Sequence, residues 1–97
     1  MFMVVSYWEP LPGKEAEFDK VSPKVTAILR QQPGVVMIEG FNSGKKRVAI
    51  HAYKHEAAYK AVVDNPNGTF ARALKEHRLE ELARWLGSER GETLPHQ

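Results

Sequence analysis

The chain has 97 residues, of which 42% are hydrophobic and 27% charged, and its formal net charge at pH 7 is +2. These values are ordinary for one globular domain with a single modest core. The absence of cysteine excludes a disulfide framework, thiol catalysis and thiolate metal sites. No apolar run approaches the roughly 18 residues of a membrane span, and the basic residues form no block. We therefore expect a cytoplasmic protein with neither a membrane nor a nucleic-acid partner.

The first predicted element is a strand over residues 2–9, which is rich in β-branched and aromatic residues and is followed by Pro10 and Pro12. Side chains alternate between the two faces of a strand. One face would carry Phe2, Val4, Ser6 and Trp8, and the other Met3, Val5 and Tyr7. Because both faces are largely apolar, we expect both to be covered.

The second predicted element is a kinked amphipathic helix of about five turns. Gly13 occupies its N-cap position, and Pro33 with Gly34 ends it. Pro23 deletes one backbone hydrogen bond and should kink the helix. Apolar residues recur at helical spacings of three and four: Phe18, Val21, Val25, Ile28 and Leu29.

Two further strands are predicted over residues 35–42 and 46–54, joined by a tight hairpin turn that contains Asn42 and Gly44. On the third strand, one face would carry Val48, Ile50 and Ala52, and the other Ala49, His51 and Tyr53.

The last part of the chain is predicted to be helical over residues 55–64 and again from Phe70 to about Arg78. Residues 79–88 fit either a continued helix or a short terminal strand, and the pattern does not separate the two. A mobile tail is expected from about residue 90 to residue 97.

This order of elements predicts an α+β, ferredoxin-like βαββα(β) sandwich with an antiparallel sheet, formed by residues 1–97 as a single domain. The helices would cover one face of the sheet. Because the other face would be bare and apolar in a monomer, we expect a second copy to cover it in a homodimer.

Three motifs resemble the antibiotic biosynthesis monooxygenase family. They are Pro12-Gly13-Lys14-Glu15 with Phe18 after the first strand, Pro33-Gly34 before the second, and Tyr53 closing the third ahead of Glu56-Ala57-Ala58. That family belongs to the dimeric α/β-barrel superfamily. The resemblance implies a homodimer with a small-molecule cavity in each subunit. It also implies a cofactor-independent monooxygenase that oxidises an aromatic, quinol-like or polyketide substrate with dioxygen.

The chain departs from the family pattern at several positions. Tyr53 closes the third strand where the family usually has tryptophan. The haem-degrading branch carries an asparagine on the first strand and a histidine on the second helical region, whereas this chain has Ser6 and Leu74 there. The resemblance therefore implies a site without haem, and we expect no cofactor.

An oxygenase of this kind needs a base, hydrogen-bond donors for the resulting oxyanion and an apolar cavity. We predict His51 as the base, because burial within the third strand would hold its pKa near or below neutrality. Tyr53 on the same face would donate to the oxyanion. The alternatives are a histidine satisfied by cross-strand hydrogen bonds and an aromatic ring that only packs.

Three further residues are predicted to bind substrate. Ser6 would donate a hydrogen bond, and Trp8 would form a stacking wall or a dimer-interface contact. Glu39, within the second strand, is a candidate proton acceptor, although a partner arginine or an edge position would explain it as well. No metal is expected, because no histidine pair has metal-ligand spacing beside a carboxylate.

Two other functions stay open. One is a non-catalytic, small-molecule-binding or stress-related dimeric module that uses the same cavity. The other is an isomerase or lyase on a small oxygenated substrate. The sequence separates none of these and does not identify the substrate.

Overall fold

The structure, a computed structural model, describes residues 1–95. Its elements in chain order are β1 (Phe2–Pro10), α1 (Glu15–Arg30), β2 (Val35–Ser43), β3 (Lys46–Tyr53), α2 (Glu56–Val62), α3 (Thr69–Glu76), a 3₁₀ turn (Leu79–Glu81) and β4 (Ala83–Glu92). The sheet order is β2-β3-β1-β4, and neighbouring strands are antiparallel. This is the predicted ferredoxin-like α+β fold, with the optional last strand present. None of the helices within residues 1–95 is long and apolar enough to cross a membrane.

Helix α1 is continuous through Pro23 and buries the predicted apolar stripe, with Phe18, Val25 and Leu29 fully inside. The predicted N-cap was wrong by one residue. The N-cap position is Lys14, and Gly13 lies in the preceding turn with a φ of +81°. A glycine suits that turn because the left-handed region is strained for residues with a Cβ atom.

The connection into β2 depends on Gly34. Its φ is +83°, and a Cβ atom at this position would lie 2.6 Å from the Cβ of Ala58. Both the backbone conformation and the close approach of α2 therefore require glycine here. The predicted tight hairpin between β2 and β3 is confirmed and closes through Gly44 and Lys45, with Ser43 paired to Lys46. Asn42 belongs to β2, where it pairs with Arg47, and not to the turn.

The final segment is a strand rather than a continued helix. Arg78 adopts a left-handed conformation with a φ of 54°, which ends the helical course. Strand β4 then pairs with β1 from Ala83 to Glu92, with an irregularity between Tyr7 and Trp8 of β1. Residues 90–92 therefore belong to the sheet and not to the predicted tail, whose last two residues lie outside the described part of the chain.

The sheet has a covered face and an open face. The covered face packs on the helices and carries Phe2, Val4, Ser6, Trp8, Ile38, His51 and Tyr53. The open face carries Met3, Val5, Tyr7, Met37, Phe41 and Ile50, which are partly or largely exposed. The predicted alternation of β1 and β3 is confirmed.

Candidate functional site

A cavity of about 500 Å³ lies between the covered face and the helices. Helix α1 covers it and packs mainly against β2, at one edge of the sheet, and against α3. Its walls are mostly apolar and include Val4, Trp8, Phe18, Val25, Leu29, Ile38, Phe70 and Leu74. Cavities of this size and character are typical of small-molecule sites.

The central polar group of this cavity is His51, which lies in the middle of β3 and is only 7% exposed. The Nδ1 atom of His51 lies 2.9 Å from the hydroxyl oxygen of Tyr53. The two residues are two positions apart on one strand, so their side chains project from the same face. The sequence placed them on one face, and the structure joins them by a hydrogen bond.

Burial lowers the pKa of His51 to about 4, because a charged imidazolium would lose its hydration there. Burial also raises the pKa of Tyr53 above its usual value, with a smaller contribution from Tyr59. At neutral pH the imidazole is therefore uncharged and the phenol keeps its proton.

These protonation states leave two arrangements of the hydrogen bond. Either Tyr53 donates to Nδ1 of His51 and Nε2 carries the imidazole proton, or Nδ1–H donates to the oxygen of Tyr53 and Nε2 carries a lone pair. Nε2 has no hydrogen-bond partner within residues 1–95. Every fully buried side-chain nitrogen or oxygen in that region has such a partner, so the Nε2 atom is accessible. Nε2 therefore faces the cavity.

Tyr53 lies outside the lining of the cavity. The side chain is completely buried and packs edge-on against the ring of Tyr59 with centroids 5.5 Å apart. Its hydroxyl contacts His51 and is placed to orient the imidazole. Donation from Tyr53 to a bound oxyanion stays a prediction.

Ser6 and Trp8 both line the cavity, as predicted. The hydroxyl of Ser6 forms no hydrogen bond to another group within residues 1–95 and, by the same reasoning as for His51, is open to the cavity. Trp8 is half-buried and packs against the cluster of Phe18, Leu79 and Leu82 under α1. Trp8 lies on the covered face, a position that fits the predicted stacking wall for a ligand. It is not part of the open face.

Glu39 is not brought together with His51. It lies on the edge strand β2, its side chain is 70% exposed, and its carboxylate is 3.5 Å from Arg30. Arg30 also donates to the backbone oxygen of Ile38. The partner arginine and the edge position both apply, so Glu39 borders the cavity without pointing its charge at the imidazole.

Several lining residues were missed by the sequence reasoning. Ser88 and Arg90 lie on β4, whose existence the pattern left open, and both reach the cavity from the covered face. At another part of the lining, Arg47 donates to both carboxylate oxygens of Asp19, at 2.8 and 3.1 Å. This pair connects α1 to β3, and the hydrogen bond from Arg47 lowers the pKa of Asp19. Its partners are 28 residues apart, beyond the reach of local patterns.

No cluster of three or more histidine, cysteine or acidic side chains able to hold a metal occurs in the described part of the chain.

The same fold occurs in solved structures of other proteins. Rv0793 from Mycobacterium tuberculosis has a TM-score of 0.79 at 15% identity, over 98% of this chain and 96% of that chain. SnoaB, a cofactor-independent oxygenase from Streptomyces nogalater, has a TM-score of 0.72 at 21% identity, over 99% and 93%. A candidate antibiotic biosynthesis monooxygenase from Chloroflexus aurantiacus has a TM-score of 0.72 at 10% identity, over 99% and 95%.

These similarities confirm the predicted resemblance at the level of the fold, which extends over nearly the whole chain. Identities this low establish no shared reaction. No protein-family model and no curated protein matches the chain.

Proposed function

We propose that this protein is a cofactor-independent monooxygenase that oxidises a small aromatic, quinol-like or polyketide substrate with dioxygen. The observation that carries the proposal is the buried His51–Tyr53 pair, whose imidazole faces a largely apolar cavity of about 500 Å³. The fold is shared with SnoaB, a cofactor-independent oxygenase.

The chemistry first requires removal of a proton from the substrate. In the tautomer of His51 whose Nδ1–H donates to the oxygen of Tyr53, the lone pair of Nε2 is free to take that proton. The pKa of about 4 makes this imidazole a weak base in the empty site. The substrate anion that forms beside it counteracts the effect, because an opposite charge within about 4–6 Å favours the imidazolium.

The substrate anion is the reductant. It transfers an electron to dioxygen, and the substrate radical and superoxide combine to form a carbon–oxygen bond. The peroxide anion takes back the proton held by His51, and loss of water from the hydroperoxide leaves a carbonyl. For a CH₂ group, one oxygen atom of dioxygen enters the C=O product, and the other leaves as water with the two hydrogens. The hydroxyl of Ser6, which lines the cavity, would stabilise the oxyanion, and the apolar walls would exclude water.

We also propose that the protein is a homodimer that buries the open face. Phe41 on this face is 53% exposed, and Met3, Val5, Tyr7 and Ile50 beside it are partly exposed. Contiguous apolar surface of this kind is uncommon on soluble monomers. A second copy would supply a matching apolar surface, as isologous dimers do.

The test is dioxygen uptake with a panel of hydroquinones and anthrones, each with and without a carboxylate substituent, in the presence of a metal chelator and without added flavin. Uptake that requires folded protein and survives chelation is the expected result, with ¹⁸O from labelled dioxygen in the product. Absence of uptake across the panel would contradict the oxygenase function.

A non-catalytic binding module is the second candidate, and one observation favours it. His51 is already uncharged and hydrogen-bonded in the empty cavity, as a purely structural histidine would be. Saturable binding of panel compounds without product formation would support this function. Turnover without oxygen consumption would instead indicate an isomerase or a lyase.

A further inference from the structure

The cavity carries a positive charge that the proposed chemistry does not use. The side chain of Arg90 on β4 is exposed, lines the cavity and forms no ion pair with any carboxylate among residues 1–95. The other cavity-lining arginine, Arg47, is neutralised by Asp19 through two hydrogen bonds. Three further acidic residues border the cavity: Glu39 pairs with Arg30, and Asp64 and Glu80 form no ion pair within residues 1–95.

The guanidinium of Arg90 is held in place by its neighbours. Its Nη1 donates to the hydroxyl of Ser88 at 3.1 Å, and its Cζ lies 5.8 Å from the centroid of the Tyr59 ring. Tyr59 is a core residue, so the cation–π contact keeps the guanidinium on the covered face. The remaining N–H groups of Arg90 stay free for a ligand.

The strand register places this charge beside the proposed catalytic group. Val4 of β1 pairs with His51 on one side and with Arg90 on the other, and Ser6 pairs with Ser88. Neighbouring strands lie about 4.8 Å apart, so the Cα atoms of His51 and Arg90 are separated by about 10 Å. One aromatic ligand of two or three rings spans that distance.

We propose that Arg90, with Ser88 and Ser6, forms a subsite for a carboxylate, and that the natural substrate is an aromatic acid. A planar guanidinium binds a carboxylate through two parallel hydrogen bonds. The acid would set the orientation of the ring so that its reactive position faces His51. This deepens the proposed function, because it names the substrate class of the same cavity.

The probes are 2-naphthoate and its neutral analogue 2-naphthamide, titrated calorimetrically into the full-length protein. The wild type should bind the acid more tightly than the amide. Arg90→Gln should weaken naphthoate binding about tenfold or more and leave naphthamide binding unchanged, since hydrogen bonds to charged groups are the stronger class.

Arg84→Gln is the matched control. It removes the same charge from the same strand, but Arg84 pairs with Glu9 and lies outside this cavity. It should leave both affinities unchanged. Arg90→Lys, which keeps the charge and loses the paired geometry, should fall between the wild type and Arg90→Gln. Thermal unfolding checks that each variant is folded.

Three results would overturn the subsite: absence of naphthoate binding, equal affinity for acid and amide, or equal losses in Arg90→Gln and Arg84→Gln. These binding measurements need no turnover. Acid discrimination without oxygen uptake would retain the subsite and reject the oxygenase, and oxygen uptake without acid discrimination would do the reverse.

Discussion

The two faces of the sheet are built from the same strands but differ in which side chains they bury. On the covered face, His51 and Ser6 are buried among apolar side chains, and His51 has a defined partner in Tyr53. On the open face, Phe41 and its apolar neighbours stay exposed. Alternation along β1 and β3 separates the two sets residue by residue.

This difference indicates a site on the covered face and a different role for the open face. Burying a polar group costs free energy unless a hydrogen bond compensates it. Tyr53 is the partner of Nδ1 of His51, whereas Nε2 has no partner within residues 1–95 and faces the cavity. A buried imidazole with one nitrogen open to a cavity favours chemistry or binding on the covered face. The exposed apolar side chains of the open face favour the proposed association.

The largest expected effect is the loss of stability when Tyr53 is truncated. Tyr53→Ala removes a completely buried ring and should lower the free energy of unfolding by about 3–5 kcal/mol. Tyr7→Ala on the open face, where the ring is partly exposed, should cost about 1 kcal/mol. Urea denaturation at a protein concentration that keeps the association state constant measures both. Equal losses would contradict the assignment of the two faces.

The next effect is the pH dependence of stability that His51 confers. Its pKa falls from 6.5 to about 4 on folding, so the unfolded chain binds the proton more readily. The free energy of unfolding should therefore decrease as pH falls from 6.5 towards 4, by about 2 kcal/mol between pH 7 and pH 5.

His51→Gln should lose this component of the pH dependence, and His77→Gln, outside the cavity lining, should retain it. Urea denaturation at both pH values tests the difference. An unchanged pH dependence in His51→Gln would show that the imidazole is not buried in its uncharged form.

A smaller effect is expected on association through the open face. Phe41→Asp places a charge in the proposed dimer interface and should weaken the dimer more than tenfold. Ala27→Asp adds the same charge on an exposed position of α1 and should leave the dimer intact. Sedimentation equilibrium distinguishes the two variants. A monomeric wild type would remove the open face as an interface.

The smallest effect concerns the Asp19–Arg47 pair that connects α1 to the sheet. Asp19→Asn should lower the free energy of unfolding by about 0.2–1 kcal/mol at pH 7, because the pair is partly exposed and screened by solvent. Arg47 lowers the pKa of Asp19, so this contribution is present above pH 3.8 and is lost in more acidic solution. Glu17→Gln, whose pair with Lys14 is more exposed, should cost less. A larger loss from Glu17→Gln would contradict the connecting role of Asp19.

Local sequence patterns predicted the fold and the face of the sheet on which four of the candidate site residues lie. The period of two along β1 and β3 placed Ser6, Trp8, His51 and Tyr53 on the covered face, because alternation depends only on the strand itself. The same pattern does not show that the hydroxyl of Tyr53 reaches Nδ1 of His51. That contact depends on the side-chain rotamers imposed by the packing of the core.

The rest depends on tertiary pairing. Strong helix formers between Leu79 and Leu86 favour a helix. In the structure, the chain from Ala83 onward pairs instead with the edge of β1 that β3 does not occupy. Arg90 and Ser88 reach the cavity only because of that pairing. The surroundings of Glu39 likewise depend on β2 being the edge strand, which only the sheet order reveals.

The most direct test of the central claim is the rate of dioxygen uptake with 1,8-dihydroxyanthrone by the wild type, His51→Gln and His77→Gln, with chelator present. If His51 is the general base, His51→Gln should lower the rate at least about a hundredfold. His77→Gln should match the wild type. Wild-type rates in His51→Gln would show that the covered face holds a binding cavity without this chemistry.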